Sequence, residues 1–138
     1  MKIDEQTIQT MLTKAKAARN NAYVPYSKFA VGACVLSEDN QIFTGCNVEN
    51  ASYRITLCAE SSAIAAMASA GKRHIHAILI VGPDKKTITP CGACRQMIRE
   101  FASPSTPIYL CDEEKICEIT NIEELLPRSF GPEYLTEN

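Results

Sequence analysis

The sequence predicts an α/β protein, a three-layer α/β/α sandwich with a mixed central sheet of about five strands. Segments with helical spacing of apolar residues alternate with short strand-like runs, which favours one sheet with helices packed against it. The run 77–81 is continuously apolar, as expected for a central strand that is covered on both faces. The chain has 138 residues and no linker-like stretch, so we expect a single domain over residues 1–138.

The first half of the chain predicts a helix, two strands and a second helix. Apolar residues recur at helical spacing from residue 4 to about residue 20. Two short apolar segments, 29–36 and 41–46, flank a polar four-residue connection that suits a β-hairpin. Good helix formers then fill residues 58–70, and Gly71 is placed to cap the C-terminus of that helix.

The second half predicts a strand, a helix, two further strands and a short last helix. Pro90 favours a helix that starts at the next residue, and apolar residues then form one stripe along it. Short apolar runs after turn residues predict the strands. The predicted elements are strand 77–81, helix 91–101, strands 107–111 and 115–120, and helix 121–127.

Composition and charge exclude several classes of partner. Hydrophobic residues make up 46% of the chain and charged residues 22%, as in ordinary globular proteins. The net charge is −2 and the basic residues form only short pairs, so we expect no nucleic acid partner. No apolar run approaches the roughly 20 residues that span a bilayer, so we expect no membrane partner either.

The chain contains seven cysteines, an odd number, and no apolar signal segment. This cysteine usage favours a reducing, cytoplasmic location. Four of the seven lie in or beside strand-like runs, where a free cysteine is typically a small buried apolar side chain. We therefore expect no chemical role for Cys34, Cys46, Cys111 and Cys117.

The other three cysteines, Cys58, Cys91 and Cys94, predict a zinc site. They lie at or near the predicted starts of two helices, where the helix dipole and free N–H groups lower the pKa of a thiol. A CxxC pair in a helix directs both thiols to one side, and the other helix supplies the third. Three protein ligands leave one tetrahedral position open, as in catalytic zinc sites. Glu60, two residues after the first ligand, is the candidate proton-transfer group.

Three other interpretations stay open from these residues alone. A closed structural zinc site would recruit a fourth cysteine or one of His74 and His76, although none of them has ligand spacing. A thioredoxin-like redox function would account for the CxxC pair but would leave Cys58 and Glu60 unexplained. Glu60 taken alone could be an acidic residue that the helix dipole favours.

The pattern ligand-x-Glu followed by Pro-Cys-x-x-Cys marks the zinc-dependent nucleobase deaminases. Further motifs extend the match: Asn47 to Tyr53 before the first ligand, Arg95-Gln96 after the last, and residues 126–132 near the end. From Tyr26-Ser27-Lys28-Phe29 to Gly131-Pro132 the chain resembles the small homotetrameric cytidine deaminases. The resemblance implies a cytidine deaminase-like fold, one Zn²⁺ per subunit, and hydrolytic deamination of cytidine and deoxycytidine in pyrimidine salvage. The metal would activate water, and Glu60 would move the protons.

The resemblance also implies which residues bind the nucleoside. Asn47 and Glu49 would hydrogen-bond the ribose hydroxyls, and Phe29 would pack against the substrate. Structural alternatives remain, since Phe29 and Tyr53 could be core aromatics, Asn47 a turn residue and Phe130 a packing anchor for the C-terminal segment. The other implied substrate-binding residues are Ala59 and, from a neighbouring subunit, Ala51, Tyr53 and Phe130.

One position departs from the commonest pattern of the family, in which an arginine follows the glutamate. This chain has Ser61 there. Three thiolates on Zn²⁺ leave a net negative site, so we expect the helix dipoles to offset the charge. Ser61, Arg54 and Arg95 are further candidates for that role.

Two alternative functions remain beside the nucleoside reaction. One is deamination of another free aminopyrimidine compound, such as blasticidin S, on the same zinc framework. The other is a noncatalytic zinc-stabilised module, which water in an open fourth zinc position would argue against. Asn47, Glu49 and the segment 129–132 favour a ribonucleoside substrate.

Overall fold

The computed structural model describes residues 3–136 and contains one mixed sheet with helices on both faces. The helices are α1 (Glu5–Arg19), α2 (Ala59–Ser69), α3 (Gly92–Phe101) and α4 (Ile122–Leu125). The strands are β1 (Gly32–Ser37), β2 (Ile42–Cys46), β3 (Ile75–Val81), β4 (Ile108–Cys111) and β5 (Ile116–Thr120). Two 3₁₀ turns lie at Tyr53–Ile55 and Pro132–Tyr134. Within residues 3–136, no helix combines the length and the apolar character needed to cross a membrane.

The five strands are ordered β2-β1-β3-β4-β5 across the sheet. β1 pairs antiparallel with both β2 and β3, and β5 pairs antiparallel with β4. β3 and β4 are parallel, with Leu79 opposite Tyr109, and α3 forms the crossover that a parallel pair requires. The prediction of a mixed five-stranded sheet in an α/β fold is confirmed.

The core has two layers, one on each face of the sheet. Alternate residues of β3 point to opposite faces, because side chains in a strand alternate with a period of two. Ala77, Leu79 and Val81 pack with α1, whereas Ile78 and Ile80 pack with α2 and α3. All five are completely buried, which confirms that the apolar run is a central strand covered on both faces.

Two strand boundaries differ from the predicted ones by more than one residue. β1 begins at Gly32 and not at residue 29, because the side chain of Asn47 accepts the hydrogen bond from the Val31 N–H. β3 begins two residues earlier than predicted, since Ile75 pairs with Ser37 beyond a β-bulge. Sequence periodicity does not reveal either effect, because both depend on a neighbouring strand or loop.

Gly71 caps the C-terminus of α2 as predicted, two residues after the last helical residue, Ser69. Gly71 has a φ of +88°, a left-handed conformation that glycine adopts without a Cβ penalty. The N–H groups of Gly71 and Lys72 donate to the carbonyls of Ala68 and Met67, which is the Schellman arrangement. The turn leads the chain directly into β3.

A close approach between β2 and α2 places the start of α2 on the sheet. A Cβ atom at Gly45 would lie 2.6 Å from the carbonyl oxygen of Ala59 and would also overlap the backbone of Ala63. Only a glycine on β2 therefore allows the first turn of α2 to lie this close. The first turn contains the residues that follow Cys58, so this contact positions one side of the candidate site.

The four cysteines outside the predicted metal site have different environments. Cys34 and Cys111 are buried in the layer between α1 and the sheet, as expected, and burial raises the pKa of each thiol to about 12. Cys46 is half-buried. The prediction was wrong for Cys117, which is exposed on β5, because the register of β4 and β5 shifts next to it.

Candidate metal centre and active site

The N-termini of α2 and α3 meet at the candidate site. Cys58 is the N-cap residue of α2 and Cys91 that of α3, both with extended backbone conformations. Their carbonyls accept the first helical hydrogen bonds, from Ser62 and Arg95. Cys94 lies one turn further along α3 and is buried. Both ligand helices therefore begin one residue later than predicted, with the cysteines as caps.

The three thiols are placed as a zinc ion requires. The Sγ atoms of Cys58, Cys91 and Cys94 all lie within 4.8 Å of one another. Tetrahedral coordination with Zn–S bonds of about 2.3 Å would separate the sulfur atoms by about 3.8 Å, so a small inward adjustment suffices. Over residues 3–136, no fourth histidine, cysteine or carboxylate joins this group. The donor set thus fits a zinc ion with one open position and not a closed structural site.

The three thiols lie close enough to change one another's pKa, and the result favours a thiolate at Cys58. Hydrogen bonds from Cys94 first, and from Cys91 second, lower the pKa of Cys58 to about 6. The hydrogen bond to Cys58 raises the pKa of Cys94, because the donor must keep its proton. Deprotonation therefore begins at Cys58, and a divalent cation would displace the remaining protons.

Glu60 is a buried carboxylic acid beside this cluster. It lies in the first turn of α2 and is 5% exposed. Burial raises the pKa of its carboxyl group, since the low dielectric disfavours the charged form. The carboxyl group is close enough to interact electrostatically with Cys58 and Cys94. A carboxyl group with a raised pKa keeps its proton to a higher pH than an exposed glutamate does, which suits acid and base chemistry.

Arg95 binds the loop before Cys91 and the end of α4 through its guanidinium group. Its Nε donates to the Pro90 carbonyl at 2.8 Å, and its Nη1 donates to the Leu125 carbonyl at 2.7 Å. A third, longer bond reaches Thr89. These bonds account for three nitrogens of the guanidinium group, and whether its charge also offsets that of the thiolates stays a prediction. Arg54, another candidate for that role, is exposed in the first 3₁₀ turn.

Asn47 has both of its polar atoms engaged at the start of β1. Its Oδ1 accepts from the Val31 N–H at 3.0 Å, and its Nδ2 donates to the Phe29 carbonyl at 2.8 Å. Phe29 is partly buried against the core layer that contains α2. These contacts fix the backbone of residues 29–31 next to the end of β2.

Glu49 organises the loop that precedes Phe29. Its Oε1 accepts from the backbone N–H groups of Tyr26 and Ser27 at 3.0 and 3.1 Å, and its Oε2 accepts from the Ser27 hydroxyl. The Ser27 bond is the largest of the contributions that lower the pKa of Glu49, which keeps this carboxylate charged. Nothing in the local sequence pairs Tyr26 or Ser27 with Glu49, which lies 23 and 22 positions later, respectively.

The other predicted substrate residues lie in three places. Tyr53 is 72% exposed and lines a 390 Å³ cavity together with Tyr26, Ser27, Glu49 and Thr56. Ala51 is exposed on the same loop, and Ala59 is buried beside Cys58 and Glu60. Phe130 is 55% exposed, and its backbone carbonyl is held by Gln96 on α3. Within the described chain, Phe130 thus lies with α3 and not with the loop of Tyr26 and Ser27.

The arrangement has counterparts among known proteins. Residues 5–110 match the family model described as the cytidine and deoxycytidylate deaminase zinc-binding region. The cytidine deaminase of Sporosarcina psychrophila is 43% identical over 94% of this chain and 95% of its own length. The crystal structure of the cytidine deaminase from Burkholderia pseudomallei is 42% identical, covers 88% of this chain and 98% of its own, and has a TM-score of 0.83. The corresponding values for the cytidine deaminase structure from Mycobacterium tuberculosis are 37%, 94%, 99% and 0.81.

Proposed function

This chain belongs to the cytidine and deoxycytidylate deaminase family, and on that basis we propose that it is a zinc-dependent hydrolase of pyrimidine salvage. It deaminates cytidine and deoxycytidine to uridine and deoxyuridine and releases ammonia. The observation that carries this function is the meeting of three thiols from two helix N-termini beside the buried carboxyl group of Glu60. Each subunit takes one zinc ion.

Cys58, Cys91 and Cys94 would hold the zinc ion as thiolates. When bound, the ion supplies the Lewis acidity that lowers the pKa of water to near neutral. Two helix N-termini direct their positive dipole ends at the thiolates, which offsets part of the negative charge. These dipoles would take the place of the arginine that many family members have at the position of Ser61.

Glu60 would act first as a base and then as an acid. It accepts a proton from the attacking water and passes it to N3 of the pyrimidine ring, while the water oxygen bonds to C4. It then transfers the second proton of the water to the exocyclic amino group, so that the C4–N bond breaks and ammonia leaves. One water is consumed for each ammonia released. The raised pKa of Glu60 supports both roles. It makes the carboxylate a stronger base when it accepts the proton, and the carboxyl group can still donate that proton afterwards.

Asn47 and Glu49 would recognise the ribose. A carboxylate offers about four acceptor positions, and Glu49 uses three of them on Tyr26 and Ser27. Asn47 uses one of its two N–H donors on the Phe29 carbonyl. Glu49 therefore keeps one free acceptor position and Asn47 one free N–H donor. Sugar hydroxyls can donate to the first and accept from the second. Phe29 would pack against the nucleoside on the same side.

The active site would be completed by a neighbouring subunit in a homotetramer. Ala51, Tyr53 and Phe130 are exposed, and large apolar side chains at such positions favour contact with another chain. Phe130 would offer its ring face to the pyrimidine. Ala59, beside the thiols, would line the same pocket from within the subunit.

We also propose that residues 1–138 form one domain and that the protein acts in the cytoplasm. The two core layers lie on opposite faces of one sheet and share its strands. Neither layer can therefore form a separate domain. The three thiol ligands must stay reduced to bind metal, which a reducing compartment ensures.

The first experiment measures cytidine turnover by zinc-loaded protein. Absorbance follows conversion to uridine, released ammonia is assayed in parallel, and Glu60→Gln is compared with Glu118→Gln, an exposed glutamate on β5. We expect Glu60→Gln to lower kcat by roughly 100-fold or more while zinc and cytidine still bind, as loss of a general acid and base does. Glu118→Gln should behave as the unmodified protein.

Two results would contradict the proposal in different ways. Full turnover by Glu60→Gln would remove the proton-transfer role of Glu60. Absence of cytidine turnover by the zinc-loaded, folded protein would redirect the search to another free aminopyrimidine, with blasticidin S as the first substrate to try.

A further inference from the structure

The chain after α4 runs back along α3 and is held there by side chains of that helix. We define the C-terminal arm as residues 129–134, which include Phe130 and the second 3₁₀ turn. Arg128, just before the arm, has a φ of +56°, a left-handed conformation that turns the chain sharply. The arm therefore starts from a fixed bend.

Arg99 of α3 contacts the arm on both sides of Phe130. Its Nε donates to the Ser129 hydroxyl at 2.8 Å, and its Nη2 forms a salt bridge with Glu133. The Arg99 side chain is only 14% exposed, although it carries a charge. A Cβ atom at Gly131 would overlap the guanidinium group, so the arm passes directly over Arg99.

Two further contacts fix Phe130 between the points that Arg99 holds. Gln96, one turn before Arg99 on α3, donates to the Phe130 carbonyl at 2.9 Å. The ring of Phe130 stacks on that of Tyr134, with centroids 5.3 Å apart and planes inclined by 16°. The arm is thus held before, at and after Phe130, while this residue remains more than half exposed.

We propose that Arg99 is a positioning residue, which sets the orientation of Phe130 by binding the arm at Ser129 and Glu133. The inference rests on the proposed function, in which Phe130 contacts the pyrimidine of a neighbouring subunit. A ring held in one orientation costs less conformational entropy when the substrate binds. Arg99 itself does not touch the substrate, so its effect appears in nucleoside binding and not in the chemical step.

The test compares Arg99→Met with Ser129→Ala, which removes one acceptor and leaves Arg99 in place. Arg73→Met is the matched control, since the exposed Arg73 guanidinium also donates to backbone carbonyls, but at the end of α2. For Arg99→Met we expect KM for cytidine to rise roughly two- to tenfold, the size of one aromatic contact, with kcat changed by less than about twofold. Zinc content should stay at one per chain. Ser129→Ala should show a smaller rise in KM, and Arg73→Met none.

A double-mutant cycle tests whether Arg99 acts through Phe130. If it does, Arg99→Met added to Phe130→Ala should leave KM as in Phe130→Ala alone, because the ring that Arg99 positions is already absent. Amide exchange gives a second readout, since the N–H of Tyr134 donates to the Gly131 carbonyl within the arm. We expect this exchange to accelerate in Arg99→Met.

Each opposite result overturns the inference. An unchanged KM in Arg99→Met, KM effects that multiply in the double variant, or unchanged exchange in the arm would each show that Arg99 does not position Phe130. If Arg99→Met fails to fold, Gly131→Ala displaces the guanidinium from the other side and should raise KM in the same way. Failure of the proposed function is a different result, because the unmodified protein would then turn over no cytidine.

Discussion

The buried carboxyl group of Glu60 makes the stability of the folded protein depend on pH. Burial raises the pKa of its carboxyl group in the folded protein, whereas in the unfolded chain the group is hydrated. Between the two pKa values the folded state holds a proton that the unfolded state has released. The free energy of unfolding therefore falls as pH rises through this range, because the folded state binds more protons.

We predict that metal-free protein loses stability relative to Glu60→Gln as the pH rises above about 4.3, the ordinary pKa of a hydrated glutamate. Glutamine has no proton to lose, so the difference between the two proteins isolates the contribution of Glu60. The comparison is needed because the pKa of nearby Cys58, about 6, lies in the same range. Urea unfolding at several pH values under reducing conditions measures the effect. A difference that grows in favour of the unmodified protein would contradict it.

The thiol ligands give a second prediction at the scale of single residues. Replacing Cys58, Cys91 or Cys94 with alanine should lower bound zinc from one per chain to nearly none, since each change removes one of three protein ligands. Cys117→Ala is the matched control, because this exposed cysteine lies outside the cluster. Metal analysis of the purified variants decides it. One zinc per chain in any of the three ligand variants would mean that a different group binds the metal.

At the scale of elements, the packing of α2 on β2 depends on the missing side chain of Gly45. We predict that Gly45→Ala destabilises the protein by about 1–3 kcal/mol, because the added methyl group meets the backbone of α2 and not a movable side chain. Gly92→Ala is the control, since a Cβ there meets nothing within 4 Å. It should be neutral or slightly stabilising, as alanine favours a helix. Chemical denaturation of both variants measures the difference, and equal stabilities would contradict the prediction.

Arg95 joins three elements, the loop before Cys91, α3 and the end of α4. We predict that Arg95→Met weakens zinc binding by roughly tenfold or more, because the Pro90 and Leu125 carbonyls lose their donor and the ligand loop loosens. Competition with a chromogenic chelator measures the affinity. An unchanged affinity would mean that the loop keeps its conformation without the guanidinium group.

At the scale of the whole molecule, the proposed sharing of sites between subunits can be tested by mixing two variants. Glu60→Gln chains lack the proton-transfer group but keep Phe130. Phe130→Ala chains keep Glu60 but lack the aromatic ring. When the two are unfolded, mixed in equal amounts and refolded, we predict a rate at low cytidine above half that of Phe130→Ala alone. Some sites would then combine an intact Glu60 with the Phe130 of a neighbour. A rate of half would place Phe130 in its own subunit's site.

The sequence by itself determined the kinds and order of the elements and which three thiols are the candidates to bind a metal. Helical spacing, the apolar run of β3 and the Gly71 cap are local properties, so they can be read from neighbouring residues. The ligand set was equally readable, because CxxC within one helix and a cysteine at the start of another restrict which thiols can share an ion. The structure confirms that Cys58, Cys91 and Cys94 converge.

Only the tertiary structure decided the strand order and the partners of the polar side chains. Arg95 binds Leu125 across 30 positions, Arg99 binds Ser129 across 30, and Ser27 binds Glu49 across 22. No spacing rule links residues so far apart. These residues come together only when the helices pack on the sheet, and that packing is driven by the burial of apolar surface from the whole chain. Sequence periodicity reports only on residues within a few turns of one another.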